Sequence, residues 1–354
     1  MKKTIIILFL FLFASTIIYC QTIKEFAEAE KAENTSQWDK ALDIYNKYIE
    51  NNKNNAEAYK RRGNVKAMLL QYEAAIMDYT NAIDINPKFN EAFFNRAYCH
   101  DALFNYNMAI KDYTKSIELN SKDADGYINR GIVYKKIDNL TQAEKDFDEA
   151  EKLKPNDAIL YFNKGEIKRL LKKPDDALVY YTKSIELDSN FSDSYFQRAG
   201  IYIIKEKYSL AVNDLNKYIK DNKLNPAGYF SRGYAYLFIK DYYLAIKDFN
   251  RSIELNPNNV YAFIHRGFSK SNREDFPSAI EDFNKAQELN ENLPEIYYNR
   301  ANAYYNLNKY AEAIADWEKA IKLDPTIEGN VRQYLDESRL KLKRIIRNQN
   351  KGLK

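Results

Sequence analysis

Apolar residues in this chain fall into pairs of short helical stripes separated by polar bends. Between residues 226 and 259, Tyr229, Gly233 and Tyr236 lie at i, i+4 and i+7, one face of an amphipathic helix. Ala245, Phe249 and Ser252 repeat that spacing in a second helix, with Asp241 near the bend. The pattern returns every 34 residues, most visibly in the strings YKRRG, FFNRA, YINRG, YFNKG, YFQRA, YFSRG, FIHRG and YYNRA. Nine blocks begin at 22, 56, 90, 124, 158, 192, 226, 260 and 294 and reach Ile327 without insertion or deletion. A helix pair cannot bury its apolar face alone, so the pattern predicts a stack of neighbours sharing one continuous core.

Position within the block fixes residue type. Position 8 is Ala29, Gly63, Ala97, Gly131, Gly165, Ala199, Gly233, Gly267 and Ala301, and position 20 is alanine in every block, from Ala41 to Ala313. Small residues at both places let two helix backbones approach; a larger side chain there costs about 1–3 kcal/mol of overpacking strain. Position 4 is aromatic in eight blocks, and position 24 is aromatic in all but Leu215. Pro226 and Pro294 open first helices, Pro277 opens a second, and Pro87, Pro155, Pro257 and Pro325 stand at position 32.

These residues resemble the tetratricopeptide repeat family, with its 34-residue unit, aromatic 4, small 8, alanine 20, aromatic 24 and frequent proline 32. The resemblance runs from Thr22 to Ile327 and implies an all-α fold. That fold is an α-solenoid, a right-handed superhelix of nine helix-turn-helix units whose grooves take protein or peptide partners. Residues 328–347 read as a capping helix with Val331, Tyr334, Leu335, Leu342, Ile345 and Ile346 over the open end, and 348–354 as a basic tail. Eight cations between Arg332 and Lys354 face only Asp336 and Glu337, which reads as a solvated outer face or, alternatively, a membrane or nucleic-acid contact.

A basic residue recurs at position 7: Arg62, Arg96, Arg130, Lys164, Arg198, Arg232, Arg266 and Arg300. Position 23 is Asp78, Asp112, Asp146, Asp214, Asp248, Asp282 and Asp316, and its exceptions coincide with those at position 7. Lys164 shares a block with Tyr180, and Glu28 shares one with Ile44. Residues that change together predict contact, here a ladder of bidentate Arg–carboxylate bonds. The other reading is a basic stripe for anionic ligands.

The resemblance also implies which side chains line the groove, at positions 2, 5, 9, 12 and 13. Blocks five to eight place Phe162, Phe196, Ile203, Ile204, Phe230, Tyr234, Leu237, Phe238, Ile264 and Phe268 there, an apolar trough for a partner helix or extended peptide. Burial between neighbouring helices is the competing reading of those rings. Earlier blocks carry Lys60, Asp101, Lys135 and Lys136 at equivalent places. The family's carboxylate clamp is matched only in part, by Lys60, Asn64 and Asn95; Asp125 and Asn129 stand where its remaining cations belong. Asp125 would repel the carboxylate such a clamp grips.

Composition narrows the chemistry. Lys plus Arg number 54 against 50 acids, a net +4, too even for an obligate nucleic-acid binder. Two cysteines and two histidines exclude a disulfide scaffold and a zinc site built on several such ligands. Cys99 and His100 are consecutive on a helix and point to different faces, so they form no nucleophile–base pair. His100 at position 11 reads as core, and His265 sits at position 6. A non-catalytic protein without cofactor or metal is expected.

Residues 1–20 read as an export signal. Met1, Lys2 and Lys3 precede an apolar run from Ile5 to Phe13, short for a bilayer span. The mature chain is expected to begin near Gln21 or at a lipid-modified Cys20, although Tyr19 is bulky for the residue before a lipidated cysteine. Secreted, periplasmic and envelope-associated locations follow, with membrane contact only through such a lipid or an uncleaved anchor. A lipid-anchored structural component of an envelope complex is the alternative to a partner-binding scaffold.

Overall fold

A computed structural model of the protein describes residues 24–352, all helices and the turns between them, with no strand among the described residues. The export segment and Cys20 lie outside them. The chain divides into two compact units, one ending at Tyr180 and one beginning at Tyr181.

The first unit opens with α1, residues 24–34. It continues through α2 (Trp38–Asn51), α3 (Ala56–Met68), α4 (Tyr72–Ile85), α5 (Asn90–Ala102), α6 (Tyr106–Leu119), α7 (Ala124–Lys136), α8 (Leu140–Leu153) and α9 (Ala158–Leu170). The division falls within α10 (Pro174–Leu187). In the second unit follow α11 (Ser192–Ile204), α12 (Tyr208–Asp221), α13 (Pro226–Phe238), α14 (Tyr242–Leu255), α15 (Val260–Asn272), α16 (Phe276–Leu289), α17 (Pro294–Asn306) and α18 (Tyr310–Leu323). A 3-10 turn, Pro325–Ile327, leads into α19 (Glu328–Gly352).

Within each unit, helices pack in chain order, and the first helices of adjacent blocks also touch: α3 with α5, α5 with α7, α11 with α13, α13 with α15, and α15 with α17. First helices therefore share a face. The second-helix ring of each block closes over the small residue of the first. Tyr79, Tyr113 and Phe147 in the first unit, and Phe249, Phe283 and Trp317 in the second, are fully buried. A Cβ on Gly63 would stand 2.7 Å from the Tyr79 ring, and one on Gly131 2.7 Å from Phe147. Position 8 is small because position 24 occupies its side-chain space.

Starts and stops of the first helices follow ordinary capping chemistry. Asn55, Asp157 and Asn259 accept from backbone N–H groups of the turns they open. At the other end, position 15 is left-handed in all nine blocks: Ser36, Leu70, Phe104, Asp138, Lys172, Glu206, Lys240, Glu274 and Asn308 have φ between 56° and 65°. The hydrogen bonds are those of a Schellman turn; Lys240 N–H donates to Leu237 O at 3.0 Å and Asp241 N–H to Tyr236 O at 2.9 Å. No glycine occupies a positive φ among the described residues, so each turn carries the strain of a Cβ in that region. Lys240→Gly is expected to raise stability by about 1 kcal/mol, read as a higher denaturant midpoint; an unchanged or lower midpoint contradicts this.

One expectation is corrected at the ends. The first block lacks its rung of the ladder, yet Arg61 reaches back to Glu30 at 2.9 Å and Tyr45 donates to Glu33 at 2.9 Å, tying α1 down. The last helix does not stop at 347; α19 is one helix to Gly352, through most of the stretch read as a tail. No Gly or Pro stands between Asn330 and Lys351, so a helix already nucleated runs on until Gly352.

Candidate functional site

Seven rungs of the expected ladder are present, each with the same geometry. In the second unit, Arg232 donates from Nε to Asp248 Oδ2 and from Nη2 to Asp248 Oδ1, both at 2.7 Å. Arg62–Asp78, Arg96–Asp112, Arg130–Asp146, Arg198–Asp214, Arg266–Asp282 and Arg300–Asp316 repeat this fork. The third arginine nitrogen reaches the preceding block at position 25, which the sequence reading did not identify. Nη1 donates to Asn46, Thr80, Thr114, Thr182, Asn216, Asn250 and Asn284 in turn. Each guanidinium thus binds two blocks, and it also lies over the aromatic ring at position 4, as Arg232 does over Tyr229 at 5.8 Å. Hydrogen bonding to Asp248 raises the Arg232 pKa further above its ordinary value.

Lys164 explains the exception. Its own block offers Tyr180 in place of a carboxylate, and its ammonium instead binds Asp148 of the preceding block at 2.8 Å, together with Glu151. Asp148 stands at position 25, where seven other blocks carry Asn or Thr. The negative charge has moved one block back, and the cation follows it. These cations are consumed internally, which removes the alternative of a basic stripe.

On the first-helix face of the first unit, the polar groups are paired among themselves. Lys60 Nζ lies 2.9 Å from Glu57 and 3.0 Å from Glu91. Asn64 Oδ1 accepts from Tyr79 at 2.9 Å and from Asn95 at 2.8 Å. Lys60, Asn64 and Asn95 do border one recess of about 290 Å³, shared with Glu91, Asp123 and Asp125. With three carboxylates in its wall and its lysine already neutralised, the recess does not suit a carboxylate ligand. Lys136 binds Asp101 at 2.7 Å, and Lys135 donates to Asn163 at 2.7 Å.

The second unit differs. Its first helices enclose a cleft of about 450 Å³ between α13, α15 and α17, closed at one end by Ile327 and Asn330. Tyr234, Leu237, Phe238, Ile264 and Phe268 line it, five of the ten residues assigned to the trough. Phe238 and Phe268 remain 45% and 37% exposed, whereas Leu237 and Ile264 form a buried floor. The Tyr234 ring stands 4.7 Å from Phe238, and Tyr208 stacks on the far side of Phe238 at 4.9 Å. Phe238 is thus flanked by one stacked and one tilted ring, which restrict its rotamer. His265 completes the floor between Phe230, Tyr234 and Phe249, at 5.8, 5.3 and 5.8 Å. Burial pushes its pKa down to about 4, so at neutral pH the imidazole is an uncharged, flat, mostly apolar wall.

The other trough residues lie elsewhere. Phe230 packs at 5.9 Å on Phe249 and supports the cleft from beneath. Phe196 and Ile203 pack on the Ala199–Leu215 core, with Phe196 4.6 Å from Tyr218. Ile204 is 73% exposed at the end of α11, and Phe162 belongs to the first unit, half-buried on α9. Phe196, Ile203 and Phe230 are half-buried, packed against neighbouring side chains. Pro294, Glu295 and Tyr298 of block nine line the cleft and were missed. Tyr298 is at position 5 of its block, so carrying the same positions one block further finds it. Glu295, Asn299 and Asp324 give the cleft a polar, acidic rim.

Cys99 and His100 play no part in it. Cys99 is fully buried, and burial pushes its thiol up to about 12. His100 is buried beside Asp112, 4.0 Å away, at the position from which Lys66 and Lys270 reach their aspartates in other blocks. Desolvation lowers its pKa and keeps it a neutral core residue. Among the described residues no group of three or more His, Cys, Asp or Glu is placed to hold a metal ion.

Family models agree with the geometry. Those described as tetratricopeptide repeat match residues 56–89, 91–123, 124–157, 158–191, 226–259 and 294–327, and a related repeat model matches 272–308; together they cover more than half the chain. No curated relative matches. Among solved structures, a tetratricopeptide repeat protein from Parabacteroides merdae is 18% identical, with a TM-score of 0.54 over 70% of this chain and 98% of its own. PilF of Pseudomonas aeruginosa is 20% identical, TM-score 0.54, over 57% and 92%. The C-terminal part of a repeat protein from Cytophaga hutchinsonii is 22% identical, TM-score 0.53, over 66% and 96%. At these identities the likeness is one of fold.

Proposed function

Because the chain belongs to the tetratricopeptide repeat family, a family of protein–protein interaction scaffolds, we propose that it is a non-catalytic scaffold whose second unit grips a short apolar segment of a partner protein. The observation that carries this is the cleft over α13, α15 and α17, where Phe238 and Phe268 stay exposed beside a buried floor. Phe238, already stacked on Tyr208, loses little freedom on binding, and aromatic anchors in such recesses carry most of an interface's affinity. At the equivalent places in the first unit stand Lys60, Lys135 and Lys136, each paired with its neighbours. On the N-terminal segment we place the scaffold outside the cytosol; a native protein that keeps Met1 contradicts that placement.

The test uses peptides selected on the wild-type protein from a displayed library of short random sequences. Phe238→Ala with Phe268→Ala is expected to weaken the best binders by about 2 kcal/mol per ring, roughly a thousandfold together, without changing helicity. Phe230→Ala is unsuitable, because that ring supports the core. Selected peptides that bind the double variant as tightly as wild type would place the partner elsewhere.

A further inference from the structure

The last helix is too long to be only a cap. First helices from α3 to α17 have 13 residues each, whereas α19 has 25. Its first half does what a cap must do. Val331 and Leu335 are buried against Ala313 and Trp317, and Lys341 ends the contact, 3.2 Å from the Tyr305 hydroxyl. The remaining turns extend the helix by about 18 Å at 1.5 Å per residue.

That extension is amphipathic in its own right. Leu342, Ile345 and Ile346 continue the stripe of Val331 and Leu335, and Ile345 and Ile346 are 40% and 49% exposed. Lys343, Arg344 and Arg347 occupy the opposite side and form no ion pair among the described residues, unlike Arg339 with Glu318 and Lys341 with Glu337. No acidic residue follows Glu337 in the sequence.

We propose that the projecting half of α19 is an interfacial helix that docks on an anionic lipid surface. Three observations select this occupant. The surface is one side of a single helix running past the cap, so it suits a plane into which an apolar strip can sink. Its free charge is all positive, which complements anionic headgroups and opposes pairing with a second copy. Nucleic acid would use the cations and leave Ile345 and Ile346 in water.

Flotation of the full chain with vesicles tests it, comparing phosphatidylcholine alone with phosphatidylcholine containing phosphatidylglycerol. The readout is the ratio of binding to the two, to which the apolar N-terminal segment contributes equally in every variant. Wild type is expected to prefer the anionic vesicles, and to lose that preference at high salt. Lys343→Gln with Arg344→Gln and Arg347→Gln should reduce anionic binding about 100-fold, at about fivefold per cation. Ile345→Ser with Ile346→Ser should reduce it also, with circular dichroism unchanged because neither ring of contacts in the cap is touched. Equal binding to both vesicles, or an unaltered triple-glutamine variant, overturns the proposal. So does a chain that ignores vesicles but binds a polyglutamate peptide or duplex DNA with its isoleucines dispensable.

Discussion

Asp248→Ala is expected to cost about 3–5 kcal/mol, because it strands a charge in a place that water reaches poorly. Asp248 is 4% exposed and accepts two arginine hydrogen bonds at 2.7 Å. Without it, Arg232, its side chain four-fifths buried, keeps a single neutral acceptor, Asn216 at 2.7 Å. The paired change Arg232→Met with Asp248→Leu should recover most of the loss, since apolar residues of similar volume replace both charges at once. Asn216→Ala removes one hydrogen bond and should cost only about 1 kcal/mol. Denaturant unfolding, with hydrogen exchange read on α13 and α14, separates the three. A cost for Asp248→Ala below about 1 kcal/mol would class the rungs with ordinary surface ion pairs, and the ladder would be decoration.

The ladder was legible because two sequence positions change together, and the two blocks that break the rule break it at both. What could not be read was the third bond. Position 25 is Asn or Thr in most blocks, residues common on any exposed helix, and nothing in the pattern distinguishes an acceptor from a solvated polar group. Asp148 looked like one more surface acid until Lys164 was seen bound to it. Leu70, Phe104 and Lys240 gave no hint of a left-handed turn either, since the usual signal is glycine and none stands there.

The trough was half legible for a different reason. Helical period says which apolar residues share a stripe, but not whether the next block covers that stripe. Phe196 and Phe238 look alike in sequence; Tyr218 covers the first, whereas the second stays 45% exposed. Tyr218 stands on the second helix of the same block, a contact that helical period does not reveal. The cap was misjudged at its end because charge was read as a tail, when helix propensity alone carries it on to Gly352.

Phe283→Ala should be the other severe change, at about 3–5 kcal/mol. Its ring is fully buried in the largest cluster of the second unit, among Ala279, Ala286, Ile296 and Tyr297. The helices around it are held by the rungs Arg266–Asp282 and Arg300–Asp316, so they cannot collapse into the hole. Gly267→Val approaches the same spot from the facing helix. A Cβ there would lie 2.8 Å from the Phe283 ring and 3.1 Å from the Ala279 carbonyl oxygen, and overpacking should cost about 1–3 kcal/mol. The double variant makes the contact itself measurable. Valine methyls enter space the ring has left, so the two costs should not add; the pair should fall short of their sum by about 1–2 kcal/mol. Simple additivity in that cycle would mean the glycine and the ring answer to separate constraints, and position 8 would then need another reason to stay small.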